Sequence, residues 1–266
     1  SMVCLPGFIP LRVTGEGYDR TFARSFARKR FVWEKNRLGK TSKIYPPFEP
    51  MRVDGDTVEV VLRRYGLDGL GLWRSVSARS NEGAYKELLA APMALVANGQ
   101  PLAGEGKVTK AAKHEVVFEG KAAHPAVAVT TRTTTEYDGC MKVELTLESG
   151  GEQGAALESL HLDIPVKDAL SPLYHVCSTS LRRNPAGRTP EGEGRVWDSR
   201  DYPDGEWIGN FKCYLWVGAE ERGLCFFADN DKNWVLDLDK EEDEGPPAPC
   251  QELIREDGVL TLRVHL

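Results

Sequence analysis

Residues 136–149 read EYDGCMKVELTLES, and their pattern decides the fold class. From Met141 onward, apolar side chains stand at every second position, Met141, Val143, Leu145 and Leu147, with Lys142, Glu144 and Thr146 between them. Period two marks a strand with one face covered, because successive side chains of an extended chain leave opposite faces. Asp138 and Gly139 precede it as a tight-turn pair, and residues 127–135 before the turn are rich in β-branched side chains. The stretch predicts a β-hairpin.

The same reading extends outward. Residues 58–62, 116–118, 160–164, 213–217, 223–228, 234–238 and 259–266 read as further strands. Turn dipeptides recur between them, Asp54-Gly55, Asp68-Gly69, Asn98-Gly99 and Asp257-Gly258. Many short strands with regular turns predict an all-β chain with little helix, a large and mainly antiparallel β-sandwich of the supersandwich kind. Residues 21–30 and 84–91 could each form a few helical turns, although neither has a convincing cap and the second runs into Pro92.

With 266 residues, 41% hydrophobic and 28% charged, the chain can bury a substantial core. No apolar run approaches the roughly 20 residues that a membrane-spanning helix needs, so no membrane partner is expected. The net charge of -6 is unevenly spread. Between Arg20 and Lys43 nine basic residues face only Glu34, a net +8 that leaves -14 on the remainder. An acidic body repels nucleic acid and no nucleic-acid motif accompanies the basic stretch, so no nucleic-acid partner is expected. The chain divides into a basic arm, residues 1–45, and a β-sandwich domain, residues 46–266. Residues 237–244 hold six acids before Gly245, Pro246 and Pro247 and read as a solvated loop. Ser1 and Met2 have the look of a cloning remnant, and the final alternating strand runs to the last residue, which predicts a domain excised from a longer protein.

Catalytic motifs are missing. Gly39, Lys40, Thr41 and Ser42 resemble the end of a phosphate-binding loop, but Glu34 stands where that loop requires glycine. There is no GxSxG, HExxH or GxGxxG. His114, His124, His161 and His175 would make a metal site only if folding brought them together, and no metal site is expected. Asp229, Asn230 and Asp231 open like a calcium loop, yet its twelfth position is Lys240 where a bidentate glutamate is needed. No cofactor is expected, with calcium only as an irregular structural ion. The six cysteines form no CxxC pair and are expected mostly as free thiols.

The segment from Trp197 to Trp234 holds nine of the 23 aromatic residues, so a ligand-stacking surface is to be sought there first. Carbohydrate contact is expected from rings in loop-like sequence, Trp197, Tyr202 and Trp207, then Trp234, with Asp198 and Asp229 as hydrogen-bonding neighbours. Tyr214 and Trp216 alternate with Cys213, Leu215 and Val217, so their strand is either buried on both faces or aromatic on an open one. Leu224 and Phe226 against Cys225 and Phe227 predict a central strand under a further layer.

Four stretches carry a family likeness: LRRYGLDGLGLWRSVSARSNEG (62–83), LLAAPMAL (88–95), EYDGCMKVELTLES, and GEGRVWDS (192–199) followed by YLWVGAEERGLCFFADNDKNWVLD (214–237). Together they resemble the amino-terminal region of large, mainly bacterial proteins related to glycoside hydrolase family 123. The likeness runs from about Asp56 to the end and is most specific at 192–237. Its matching residues are Trp197, Asp198, Trp216, Gly218, Glu221, Arg222, Gly223, Leu224, Asp229 and Trp234. The resemblance implies a β-sandwich preceding a TIM-type barrel that carries the catalytic acids, so no catalytic residue is carried over to this chain. It also implies glycines required at turns, a Glu221–Arg222 turn ion pair and a secreted or periplasmic bacterial protein. Three functions follow: a non-catalytic sandwich supporting the barrel, a carbohydrate-binding module with stacking rings, or an enzyme acting on a polysaccharide. The partners expected are carbohydrate and a downstream catalytic domain of the same polypeptide.

Overall fold

In the computed structural model the hairpin forms as β10 (Val127–Glu136) and β11 (Met141–Ser149), in register from Thr135 opposite Met141 to Val127 opposite Ser149. Asp138 closes it by accepting the Cys140 amide at 2.9 Å while Gly139 takes φ +88°. The side chains of Val127, Val129, Thr131, Thr133 and Thr135 are buried on one face of β10. The structure describes residues 41–79, 83–151, 155–177, 184–200, 210–228, 230–232, 234 and 248–266. The basic arm lies almost wholly outside them, as do Cys4 and the acidic run 237–244. All the sheets belong to one compact unit, Lys43–Leu266.

Among the described residues four antiparallel sheets make an all-β sandwich. Sheet A runs β1 (Arg52–Asp54), β2 (Thr57–Val60), β3 (Arg63–Leu67), β4 (Trp73–Ala78), β5 (Lys86–Glu87). Sheet C is the order β11, β10, β9 (Glu115–His124), β8 (Glu105–Ala111). Where β3 meets β4, residues 68–72 plunge inward instead of forming a hairpin turn. The Asp68 carboxylate accepts the amides of Leu70 and Leu72, both at 2.8 Å, and both leucines are buried. Thr131 of β10 donates to the Leu70 carbonyl at 2.6 Å. Room for this approach comes from glycine: a Cβ on Gly120 would sit 2.5 Å from the Gly69 carbonyl oxygen and 2.8 Å from the Leu70 Cα. Tyr65 donates to the Gly139 carbonyl at 3.1 Å, so sheet A and the hairpin turn of sheet C are held together.

Sheet B is the widest, in the order β15 (Gly194–Asp198), β18 (Gln251–Glu256), β19 (Val259–His265), β12 (Leu160–Lys167), β6 (Ala94–Ala97), β7 (Gln100–Pro101). Sheet D follows the order β14 (Ala186–Arg188), β13 (Leu173–Cys177), β16 (Tyr214–Ala219), β17 (Arg222–Phe227). Leu253, Leu260, Leu262 and Val264 of sheet B and Val176, Leu215 and Val217 of sheet D are buried in one core. Gln251 joins the two sheets by acting as a strand partner for Lys212, accepting its amide at 3.1 Å and donating to its carbonyl at 3.0 Å.

Residues 84–91 are not helical. They contribute edge strand β5, because Glu87 accepts the Val76 amide at 2.8 Å and the Ser77 hydroxyl at 2.9 Å, and Leu88 donates to the Val76 carbonyl. These bonds to β4 outweigh local helix preference, which is weak. Among the described residues the helical content is one 3-10 turn, Asp168–Leu170, and residues 21–30 lie outside them. Of the strand expected at 234–238 only Trp234 is described, in a bend. The five described cysteines are free thiols.

Candidate functional site

Trp197 and Asp198 are placed by β15 on opposite faces of sheet B. Trp197 points inward, 4% exposed, against Tyr174 of sheet D with ring centroids 6.4 Å apart. Asp198 points to the outer face yet is only 2% exposed, and it accepts the Arg200 amide and Nη2, each at 2.8 Å, while Arg195 approaches to 3.2 Å. Burial alone would push its carboxyl up, but the Arg200 hydrogen bonds and the Arg195 charge outweigh that and hold it below the usual carboxylate range. Around it lies a belt of opposite charges: Arg195 reaches Glu252 at 3.6 Å, Glu252 lies 2.9 Å from His265 Nε2, and Arg263 grips Asp163 with two 2.8 Å bonds.

These are ion pairs on a strand lattice, with each carboxylate answered by a cation. Trp234 is tied into the same region, its Nε1 donating to the His265 carbonyl at 2.6 Å and its ring 4.9 Å from Phe211. Tyr202, Trp207 and Asp229 lie outside the described residues. Asn230 caps the Lys232 amide at 3.0 Å, and no group of His, Cys, Asp and Glu side chains among the described residues could hold a metal ion.

Asp198→Asn removes the charge that Arg195 and Arg200 share. The expected cost is about 2 kcal/mol, kept below the fully buried figure because both arginines reach solvent. A group with a depressed folded pKa stabilises fully above its unfolded value and loses that contribution as pH falls from there through the lower folded value. The wild type should therefore lose part of its advantage over Asp198→Asn in thermal melts taken below pH 4, near the ordinary value of 3.8.

Among the described residues, a partly exposed aromatic surface lies on sheet D. Cross-strand partners share a face, so the register of His175 with Trp216 and of Trp216 with Cys225 puts all three on one side. Tyr214, paired with Cys177 and Phe227, joins them. Leu215, Val217 and Val176 face the core behind them. Of the two alternatives for Tyr214 and Trp216, the described residues fit the second: both rings are half-buried and border a shallow surface hollow. Among the described strands β17 stands at the edge of sheet D, where a central strand was expected, and Phe227 is 54% exposed. Its two-sided apolar character arises because Leu224 packs inward while Phe227 joins the outer rings.

Trp216 has an uncommon seat. Gly218 and Gly223 are paired across β16 and β17, and a Cβ on Gly223 would stand 2.6 Å from each of three indole atoms, Cε2, Cζ2 and Nε1. A Cβ on Gly218 would likewise stand 2.6 Å from Cζ2, so the indole lies over this glycine pair and is half-buried there. These glycines therefore serve close approach within strands, where the resemblance implied turns. The Glu221–Arg222 ion pair is present at 3.0 Å in the intervening turn.

Tyr214 lies edge-on to His175, with centroids 5.6 Å apart, and a shallow hollow opens between them, Trp216, Leu173, Ala186 and Gly187. Burial pushes the Tyr214 phenol up, with Cys225 beside it adding to the shift. Burial likewise pushes the Cys225 thiol up to about 11, which keeps it protonated and unreactive at neutral pH. The hollow thus offers rings, an imidazole and a phenol, and no nucleophile. The sequence signal for it was the Tyr214–Trp216 spacing together with Gly218 and Gly223.

Among known families, the model described as glycoside hydrolase 123, third domain, matches residues 51–231, about two thirds of the chain. The span takes in sheets A, C and D whole, and sheet B except β18 and β19. No curated protein matches the chain.

Proposed function

The chain belongs to the glycoside hydrolase 123 third-domain family, and we propose that its β-sandwich, residues 46–266, is a non-catalytic domain that contacts carbohydrate through the outer face of sheet D. The observation that carries this reading is the seat of Trp216. Flat aromatic faces stack on the apolar face of a sugar ring, and an indole seated over two glycines is fixed for that contact before any ligand arrives. His175 and Tyr214 at the rim supply groups that hydrogen-bond hydroxyls. Glycoside hydrolysis needs two carboxyl groups flanking the bond, and strands β13, β14, β16 and β17 contain no Asp or Glu. The family description as a third domain supports the reading that the hydrolytic acids belong to another domain and that this face holds the substrate.

The test is a tryptophan-fluorescence titration of the full chain with a panel of oligosaccharides, alongside an assay for released reducing ends. Saturable binding without turnover is expected, and turnover at this face would overturn the reading. Gly223→Ala sharpens the test. Its Cβ displaces the free end of an indole and no backbone atom lies among its nearest neighbours, so the melting temperature should stay within about 3 °C while affinity falls about fivefold or more.

A second reading rests on the hairpin. The apolar row Met141, Val143 and Leu145 of edge strand β11 is only half covered, and Leu147 is 45% exposed. An incompletely covered apolar row suits packing against a neighbouring domain such as the barrel. Leu147→Lys would then leave this chain folded and loosen the domain contact in the longer protein, read as separate melting transitions.

A further inference from the structure

We propose that the ring taken by the sheet D face carries a negative charge, as a uronic acid or a sulfated sugar within a glycan chain. This rests on the reading of that face as a carbohydrate contact. The charge distribution points to it. The chain has 40 acidic residues and a net charge of -6, and the other three sheets carry carboxylates on their strands: Glu59 and Glu87 in sheet A, Glu119 and Glu144 in sheet C, Asp163 and Glu252 in sheet B. Sheet D carries none on its four strands, and its cationic groups include Arg188.

Arg188 pairs with Leu173, a lining residue of the hollow, so its side chain leaves the sheet on the same face as His175 and Trp216. It is exposed and has no ion-pair partner among the described residues, whereas Arg195, Arg200, Arg255 and Arg263 are each spent on a carboxylate. A guanidinium presents a planar fork that matches carboxylate or sulfate oxygens two at a time. A sugar stacked on Trp216 with its acidic group toward β14 would meet that fork, with the His175 imidazole beside it. The lack of carboxylates on these four strands lowers the repulsion that a mostly acidic surface would otherwise exert on such a ligand.

The test uses the full chain and three oligosaccharides of equal length: one containing uronic acid, its carboxyl-reduced neutral counterpart, and a sulfated chain. Binding to at least one anionic chain about tenfold tighter than to the neutral one is expected, weakening as salt rises from 0.05 to 0.5 M by roughly the screening of one exposed pair. Arg188→Gln should bring that affinity down to the neutral level with an unchanged melting temperature. The uronate and sulfate arms tell the two sources apart, and tight binding in either supports the proposal. Equal binding of neutral and anionic chains, with both lost in Trp216→Ala, would overturn the charge preference and leave the stacking reading in place. An anionic preference that survives Arg188→Gln would also overturn it. Silence with all three ligands would remove both readings and leave the face to a neighbouring protein domain.

Discussion

Trp216→Ala is expected to raise the dissociation constant for any oligosaccharide the domain binds by about 30-fold or more. A stacked aromatic at the centre of a binding face contributes about 2 kcal/mol, and each 1.4 kcal/mol is a factor of ten. The indole supplies the flat area over Gly218 and Gly223, so alanine removes the platform itself. The fold should survive, because Trp216 faces outward and the core behind its strand is made by Leu215 and Val217. Trp216→Phe should recover part of the affinity, since a smaller ring still offers a face. Full affinity in Trp216→Ala, measured by calorimetry, would move the contact away from sheet D altogether.

Gly120→Val is expected to cost at least about 3 kcal/mol, lowering the melting temperature by roughly 6–12 °C for a domain of this size. At this position the added carbon would meet the Gly69 carbonyl oxygen at 2.5 Å and the Leu70 Cα at 2.8 Å. Both are backbone atoms of the inward loop, so no side chain can swing aside to relieve the clash. Relief requires residues 68–72 to withdraw, which pulls the buried Leu70 and Leu72 from the core and breaks the Thr131 bond to the Leu70 carbonyl. Gly187→Ala is the control, with nothing within 4 Å of its added carbon and a melting temperature expected to hold within about 2 °C. Equal melts for the two variants would show that sheets A and C do not approach as described.

The comparison of sequence with structure divides along the range of the interactions involved. The hairpin of β10 and β11 was legible because its signals are local: strict alternation on one side, β-branched residues on the other, and Asp138-Gly139 between them. Asn98-Gly99 and Asp257-Gly258 were legible for the same reason, both residues of each pair taking positive φ as a tight hairpin turn requires. Asp68-Gly69 carried the same turn signal but became an inward loop, because Gly120 and Gly104, far along the chain, leave the space that admits it. Residues 84–91 became an edge strand through Glu87 bonds to β4, which no local pattern records.

The candidate site shows the same division. Alternation placed Tyr214 and Trp216 on one face, but whether another layer covers that face depends on the whole sheet order. Rings in loop-like sequence were the natural choice for ligand contact, yet β15 extends through Trp197 and turns it into the core. Gly218 and Gly223 looked like turn residues because a two-residue turn lies between their strands. Their work is instead beneath an indole, which is visible only once the strands are paired.

The order of sheet B bears on how the chain is made. Strand β19 lies between β18 and β12, in register from His161 opposite His265 to Lys167 opposite Val259, so a central strand of the widest sheet is synthesised after every other described strand. At roughly 5–20 residues per second, the interval between the emergence of β12 and of β19 is on the order of 5–20 s. Sheets A and C, built from neighbouring hairpins, can form during that time, while the edge of β12 that β19 will occupy stays unpaired. Until β19 arrives, that edge of β12 is a template on which a strand of another chain could pair.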